Sequence, residues 1–370
     1  MGILIGVDEA GYGPNFGPLV VAATAWHVDD AHERTNGSPG FTHGSPRLRP
    51  GFNGDAASGA ATATAPPTRR RAAIDCVDLY PLLRNIVAKS ASERRIAIAD
   101  SKALYQAGLG LRQLERGIHA VLLSMRQTLP CWSRIVDYCR ADPDGDHRHA
   151  CWPEGFDCPL PIDAAAEETA RLAARFARAC DAVHVRPLFL RARLVFPGRF
   201  NDLIARYGSK GAALSHITVG LLREVVDEVQ ADTFASPIAG SQAPTFVLCD
   251  KHGGRNYYTA LLQHHFAEHW VNPVFESHVE SRYEWGPPGA RVRATFRMNG
   301  EKFLPTALAS MTAKYLRELA MRAFNQFWCA HIPDLRPTAG YPTDSHRFHK
   351  AIQAKQRELA IDDHLLWRRR

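Results

Sequence analysis

Two adjacent carboxylates, Asp8 and Glu9, follow the apolar residues Ile3, Leu4, Ile5 and Val7 and sit inside "GVDEAGYGPNFGPLVVAA", Gly6 to Ala23. A third acid, Asp250, closes the apolar run "TFVLCD". A fourth, Glu301, follows Gly300 just ahead of a helical pattern that begins at Thr306. Carboxylates brought together repel, and they persist where a cation neutralises them. Oxygen-only ligands suit magnesium or manganese. Two such ions can activate a water and stabilise the leaving oxygen in phosphodiester hydrolysis. Taken singly, each acid also fits a solvated turn or surface position.

Other phosphate motifs fit less well. Gly6 to Gly11 has the first spacing of a Walker A loop, but Tyr12 stands where the lysine belongs. The dinucleotide fingerprint fails because the glycine after Gly11 and Gly13 is Gly17, and no nucleophile elbow is present in this region. In "DKHGGRNYY" the glycines Gly253 and Gly254 let backbone approach a ligand, and the following helix start favours an anion. Lys251, His252 and Arg255 are therefore candidates to hold a phosphate, against a surface loop with chance basic residues.

The elements that must position these groups read as strands alternating with helices, an α/β class with a central mixed sheet. Strand ends in open α/β sheets are where sites form. Adjacent strand residues point to opposite faces, so Asp8 and Glu9 are expected to share a site only if the strand ends between them. Gly11, Gly13 and Pro14 make that break plausible. Ile96 and Ile98 suggest a strand ending at Asp100, followed by a helix over 109–128. Asp163 is expected to cap an alanine-rich helix reaching Ala182. "LFLRARLVF" alternates as a half-buried strand. "FNDLIARYGSKGAALSHITVGLLREVV" reads as helix interrupted at Gly208 to Gly211. A strand pair surrounds Pro287, Pro288 and Gly289, and a helical stripe runs from Thr306 to Phe327.

At 370 residues the chain can bury a sizeable core, and a formal charge of +7 permits an anionic partner. Residues 30–72 are rich in Gly, Ser, Pro, Ala and Thr and read as a low-complexity, disordered insertion within one domain spanning 1–370. A second irregular insertion, 130–162, carries Cys131, Cys139, Cys151, Cys158, His147 and His149. Zinc is conceivable there, but paired C-x-x-C knuckles are missing, so a loop is expected. Eight scattered cysteines and an N-terminal apolar run that stops at Asp8 suggest free thiols, a cytoplasmic location and no membrane span.

These residues together resemble the type 2 ribonucleases H, the ribonuclease HII and HIII family. "GVDEAGYGPNFGPLVVAA" looks like its first motif and "DSKAL", from Asp100, its second. "FNDLIARYGSKGAALSHITVGLL" is similar to a helical segment of the HIII branch, and "FVLCD" to the strand with a catalytic aspartate. "GEKFLPTALASMTAKYLRE" and "GYPTDSHRF" follow in family order. The first motif starts at residue 6, which leaves no room for an HIII-type N-terminal accessory domain.

The resemblance implies an RNase H-like fold with large loop insertions. It also implies a Mg2+- or Mn2+-dependent, monomeric endonuclease that cuts the RNA strand of RNA–DNA hybrids by a two-metal-ion mechanism. It assigns Asp8, Glu9, Asp250 and Glu301 to the catalytic metal site. It puts Gly11, Tyr12, Gly13, Lys102, Ser310, Lys314 and Tyr341 along the substrate groove. Tyr12 stands where the family has arginine or lysine, and "KHGGRNYY" after Asp250 departs from its pattern. Those departures bear on substrate choice. The alternatives are a non-catalytic nucleic-acid-binding protein of the same fold, and a related nuclease for another structured nucleic acid.

Overall fold

Ile3 to Val7 are buried on both sides of their strand, because the first strand lies inside a sheet covered on both faces. The computed structural model describes residues 2–29, 77–105, 110–146, 151–231 and 243–369. The insertion expected over 30–72 lies outside them, as do His147 and His149. The strands are β1 (Gly2–Ala10), β2 (Leu19–Val28), β3 (Val87–Ala88), β4 (Ile96–Ala97) and β5 (Val185–Val195). They continue as β6 (Thr245–Asp250), β7 (Asn272–Glu276), β8 (Glu280–Trp285) and β9 (Val292–Arg297). Seven form one sheet in the order β5-β2-β1-β6-β9-β8-β7, and β3 pairs with β4. The β1–β6 and β6–β9 pairs are parallel; β1–β2, β2–β5, β8–β9 and β7–β8 are antiparallel. The expected mixed α/β sheet with flanking helices is therefore observed.

Each face of the sheet has its own helix. Ile3, Ile5 and Val7 pack with Leu214, Leu221, Leu222 and Val225 of the helix Lys210–Ala231. The opposite face meets the long helix Leu304–His331. Gly6 pairs with Thr24 on one side and Leu248 on the other. The start of the long helix lies directly on this row. The Thr24 hydroxyl donates to the Pro305 carbonyl at 2.8 Å, and the Thr306 hydroxyl donates to the Leu248 carbonyl at 3.1 Å. Pro305 is tolerated because its missing N–H falls in the first turn. A β-carbon on Gly6 would overlap the backbone of Pro305 and Thr306.

Several expected boundaries move. The first strand does not end between Asp8 and Glu9; β1 continues through both to Ala10, paired with β2. Asp100 does not end a strand; it caps the short helix Ser101–Leu104, its carboxylate accepting from the Lys102 N–H at 3.0 Å. The next helix is Arg112–Ser124. Asp163 does not cap Ala166–Ala182, whose N-cap is Ala165. Its carboxylate accepts from the Leu111 N–H at 2.6 Å, at the start of Arg112–Ser124. The stretch 130–162 contains a helix, Trp132–Cys139, and its end is held by buried Glu115, which accepts from the N–H groups of Ile162, Asp163 and Ala164. Cys139 and Cys151 are buried, and burial pushes both thiols up to about 12. Gly208 breaks the helical segment as expected, separating Pro197–Tyr207 from Lys210–Ala231 with φ +80. The strand pair around Pro287 is β8 and β9, with β7 added at the edge.

Replacing Gly6 with Ala should destabilise the protein by about 3 kcal/mol, the upper end for overpacking, because backbone rather than a flexible side chain must move. Gly254→Ala, where an added β-carbon meets nothing within 4 Å, should be nearly neutral. Denaturant unfolding of the two variants checks this; equal stabilities would show that the helix start is free to shift.

Candidate active site

The carboxylates gather where β6 stops. The last β1–β6 pair is Val7 with Cys249, so Asp8 and Asp250 are the next residues on neighbouring parallel strands. β1 runs on beside β2 alone, with Asp8 opposite Ala22 and Glu9 opposite Val21. Parity sends Asp8 toward the long helix and Glu9 toward the other face. Both still reach the same space, because the neighbouring strand has ended and the two faces join around it. Here the strand expectation needed only the partner strand to end, not the strand itself.

Three backbone and hydroxyl donors fix the geometry. Asp8 Oδ1 accepts from the Glu9 N–H at 2.8 Å. Ser310, buried on the long helix, hydrogen-bonds Asp8, and its hydroxyl oxygen accepts from the Ser101 N–H at 3.3 Å. It thus ties the first acid to the Asp100–Leu104 segment from beneath. Asp250 Oδ1 accepts from the Gly300 N–H at 2.9 Å, which holds the turn Gly300–Lys302 and its Glu301 against the end of β6.

Every one of the four acids is held above its ordinary range. Burial raises Asp8 most, with repulsion from Glu9 and Asp250 added. Glu9 is pushed up to about 7 by burial and then by Asp250, with Lys102 opposing. Burial also raises Asp250 against the N–H groups of Gly300 and Lys251, and raises Glu301 with repulsion from Asp250 and Asp100. Lys102 responds in the reciprocal sense. Burial disfavours its charge, yet Asp100, Asp8, Glu301 and Asp250 together push it above the usual lysine range. The four acids and Lys102 therefore share one electrostatic field. No three of these carboxylates bring ligand atoms within 4.8 Å of one another; among the described residues only three histidines do so. The donor set is all carboxylate oxygen, which fits magnesium or manganese.

The remaining expected groove residues divide into two sets. Lys102 and Gly13 are exposed, and Tyr341, which caps the helix Pro342–Glu358, is 41% exposed. Gly13 faces Tyr341: a β-carbon there would lie 4.0 Å from its ring. Tyr12 is half-buried, with Lys210 Nζ 4.8 Å from its ring centroid, and burial and then Glu9 raise its phenol. Lys314 is paired with Glu318 at 2.6 Å and lies over the Tyr105 ring. Ser310 is buried beneath the acids rather than along a groove.

Lys251 and its neighbours are a correction. Lys251 is buried, its ammonium donating to the Asn256 side chain at 3.0 Å and the Ser277 carbonyl at 2.6 Å. His252 is buried against the Ser215 hydroxyl at 3.1 Å, and burial lowers it to about 3. Arg255 lies over the Tyr258 ring. Lys251 and His252 brace the loop from inside, so they are not presented to a phosphate. The helix that follows, Thr259–His265, is too short to add an anion site.

Two groups escaped the sequence reading. Asp100 joins the field of Asp250 and Glu301, and its place at the head of "DSKAL" was the available signal. Arg317 has no sequence signal beyond its helix. It is fully buried, donates to the Ala339 carbonyl at 3.0 Å and to Glu318, and lies 5.5 Å beneath the Tyr341 ring. Gly11, at φ +85, leaves room for it, since a β-carbon there would collide with its guanidinium. Arg317 thereby joins the first loop to the segment carrying Tyr341.

No protein-family model matches this chain, and no curated protein does. Among solved structures it is similar to the ribonuclease H2 from Pyrococcus horikoshii OT3, at 14% identity over 98% of this chain and 92% of that one, with a TM-score of 0.39. It is also similar to the PCNA:RNase HII complex from Archaeoglobus fulgidus, at 13% identity, covering 100% of this chain and 94% of that one, TM-score 0.36. A third is Bst-RNase HIII in complex with Mn2+, at 13% identity over 99% of this chain and 65% of that one, TM-score 0.37. Likenesses of this size carry no weight for chemistry, which rests on the carboxylates. No helix among the described residues is long and apolar enough to cross a membrane.

The raised Glu9 carboxyl sets a testable pH dependence. The folded chain binds its proton more tightly than the unfolded one, so Glu9 lowers stability as pH rises from 4.5 to about 7. Glu9→Gln removes that loss. In chelator, the stability gap between variant and parent should widen in favour of the variant across this window, then level off. Denaturant melts at stepped pH measure it; a gap that stays constant would place Glu9 outside the acidic field.

Proposed function

We propose that this chain is a divalent-cation-dependent endonuclease that hydrolyses the RNA strand of RNA–DNA hybrids. One observation carries the reading: Asp8 and Asp250 lie side by side on adjacent parallel strands where β6 ends, with Glu9 and Glu301 beside them, and all four carboxyls are pushed up by burial, with repulsion from neighbouring acids added. Such a set is costly without a counter-charge and has a direct use with one. Divalent cations on these four residues would supply an activated water and a charge on the leaving oxygen. The chain's own groups do the rest. Ser310 and the Glu9 N–H hold the Asp8 carboxylate in one orientation. The Gly300 N–H does the same for Asp250 and keeps Glu301 in place. Lys102, the cation in the field, is exposed and can meet a substrate phosphate. Tyr341 offers an exposed ring for a sugar, backed by Arg317.

A pure binding protein is the weaker reading, since buried carboxylates repel a phosphate backbone. Tyr12 favours a shifted substrate choice instead. It has one hydroxyl and an aromatic face where arginine offers a fixed charge and a fork of donors.

Asp250→Asn should leave the melting temperature close to the parent's and cut hybrid cleavage by about a thousandfold, ~4 kcal/mol of transition-state stabilisation. Labelled long hybrid, single-ribonucleotide duplex and plain DNA, each with magnesium and with manganese, measure it. Parent-level cleavage by the variant would remove the carboxylates from catalysis.

The same duplexes test Tyr12. The parent should cut long hybrid in preference to a single embedded ribonucleotide, because many 2′-hydroxyls then share recognition. Tyr12→Arg should shift the ratio of the two rates toward the single ribonucleotide by about tenfold, a change of ~1.4 kcal/mol. An unchanged ratio would make Tyr12 a packing residue of the first loop.

A further inference from the structure

A second cluster of ligating side chains lies apart from the acids and takes no part in the proposed reaction. His216 belongs to the helix Lys210–Ala231; His264 and His265 form the last turn of Thr259–His265. One ligand nitrogen from each lies within 4.8 Å of the other two. His216 Nδ1 and His265 Nε2 are 3.2 Å apart. Two nitrogens bound to one tetrahedral zinc at 2.0–2.1 Å stand roughly 3.3 Å apart, so this spacing suits a shared ion as well as a hydrogen bond. A hydrogen bond accounts for two imidazoles and leaves the third unexplained. The rings also do not stack. His216 and His264 meet at 85°, His264 and His265 at 88°, and His216 and His265 at 50°. The convergence therefore rests on the nitrogens themselves, not on ring stacking.

The surroundings hold this arrangement. Tyr207 stacks on His216 at 3.8 Å and 6°, fixing its ring plane. Arg223 donates to the His265 carbonyl at 3.0 Å and pairs with Asp227 and Glu268, which fixes the end of the second helix. Arg206, over the Tyr207 ring, places positive charge nearby and works against a cation. His264 is exposed, so one side of the cluster faces solvent. A cavity of about 510 Å³, lined in part by His216, Tyr207 and Glu224, opens beside it.

We propose that His216, His264 and His265 form a transition-metal site of the zinc class, with three imidazoles and one open position. Imidazole nitrogen suits zinc, copper or nickel, and disfavours the magnesium expected of the carboxylates. The ion would pin these two helices to each other. The same Lys210–Ala231 helix sets Lys210 on Tyr12 and Ser215 on His252, two residues after Asp250. This inference does not depend on the nuclease reading.

Metal-stripped full-length protein titrated with Co2+ and then Zn2+ tests it. The expected result is one equivalent of Co2+ giving the visible absorption of a tetrahedral nitrogen-bound ion, displaced by Zn2+, with micromolar or tighter affinity. The band should persist in Asp250→Asn and vanish in His264→Ala, whose exposed side chain can be removed without unfolding the chain; His264→Gln provides a second variant. Saturating Zn2+, at about a hundred times its dissociation constant, should also raise the parent's resistance to denaturant but not the variants'. Absence of a tetrahedral band in the parent overturns the proposal. So does a band that survives in both His264 variants, or one lost in Asp250→Asn, which would assign it to the carboxylates.

Discussion

The start of the long helix rests on bare backbone at Gly6, and the acidic centre depends on that contact. Helices normally stand about 10 Å from a sheet because side chains fill the gap. Here the gap closes at one row, Thr24–Gly6–Leu248, and two threonine hydroxyls bridge it. Helix and strand then diverge from a fixed point. Ser310, one helical turn further along, arrives under Asp8, two residues further along β1. A larger residue at position 6 would lift the helix and take the Asp8–Ser310–Ser101 chain of hydrogen bonds with it.

The second constraint is charge. Four carboxylates at one strand end raise one another, and the chain supplies Lys102 as counter-charge. Backbone N–H groups from Glu9, Gly300 and Lys251 offset part of the cost, since a hydrogen bond to a carboxylate favours its ionised form. An arrangement like this stores a preference for added positive charge. The surroundings are braced: the first loop, the long helix and the Gly340–Tyr341 segment are fastened through Arg317, with its guanidinium under Gly11.

The proposed histidine site would set a second donor chemistry on the same domain as the carboxylates. Hard oxygen donors gather around the end of β6, and imidazoles lie on two helices, Lys210–Ala231 and Thr259–His265. The helix Lys210–Ala231 carries His216 and, through Lys210 and Ser215, meets Tyr12 and His252, which neighbour Glu9 and Asp250 in the chain.

Much of the frame was legible in the residues. Apolar runs ending in Asp8 and Asp250 marked β1 and β6, because central strands covered on both faces need continuous hydrophobicity. The break at Gly208, the β8–β9 pair and the long helix were equally plain from local pattern. Local pattern did not set the length of β1, which depends on where a strand distant in sequence stops pairing with it. It could not tell that Lys251 and His252 turn inward, since their partners Ser277 and Ser215 lie 26 and 37 residues away. Nor did it distinguish Asp163 as a cap for one helix from Asp163 as support for another, 52 residues back. It named the acids by type and by the ends of their strands. Only the tertiary structure decided that they share one field, because electrostatic repulsion and hydrogen bonding act through space and the sequence orders residues only along the chain.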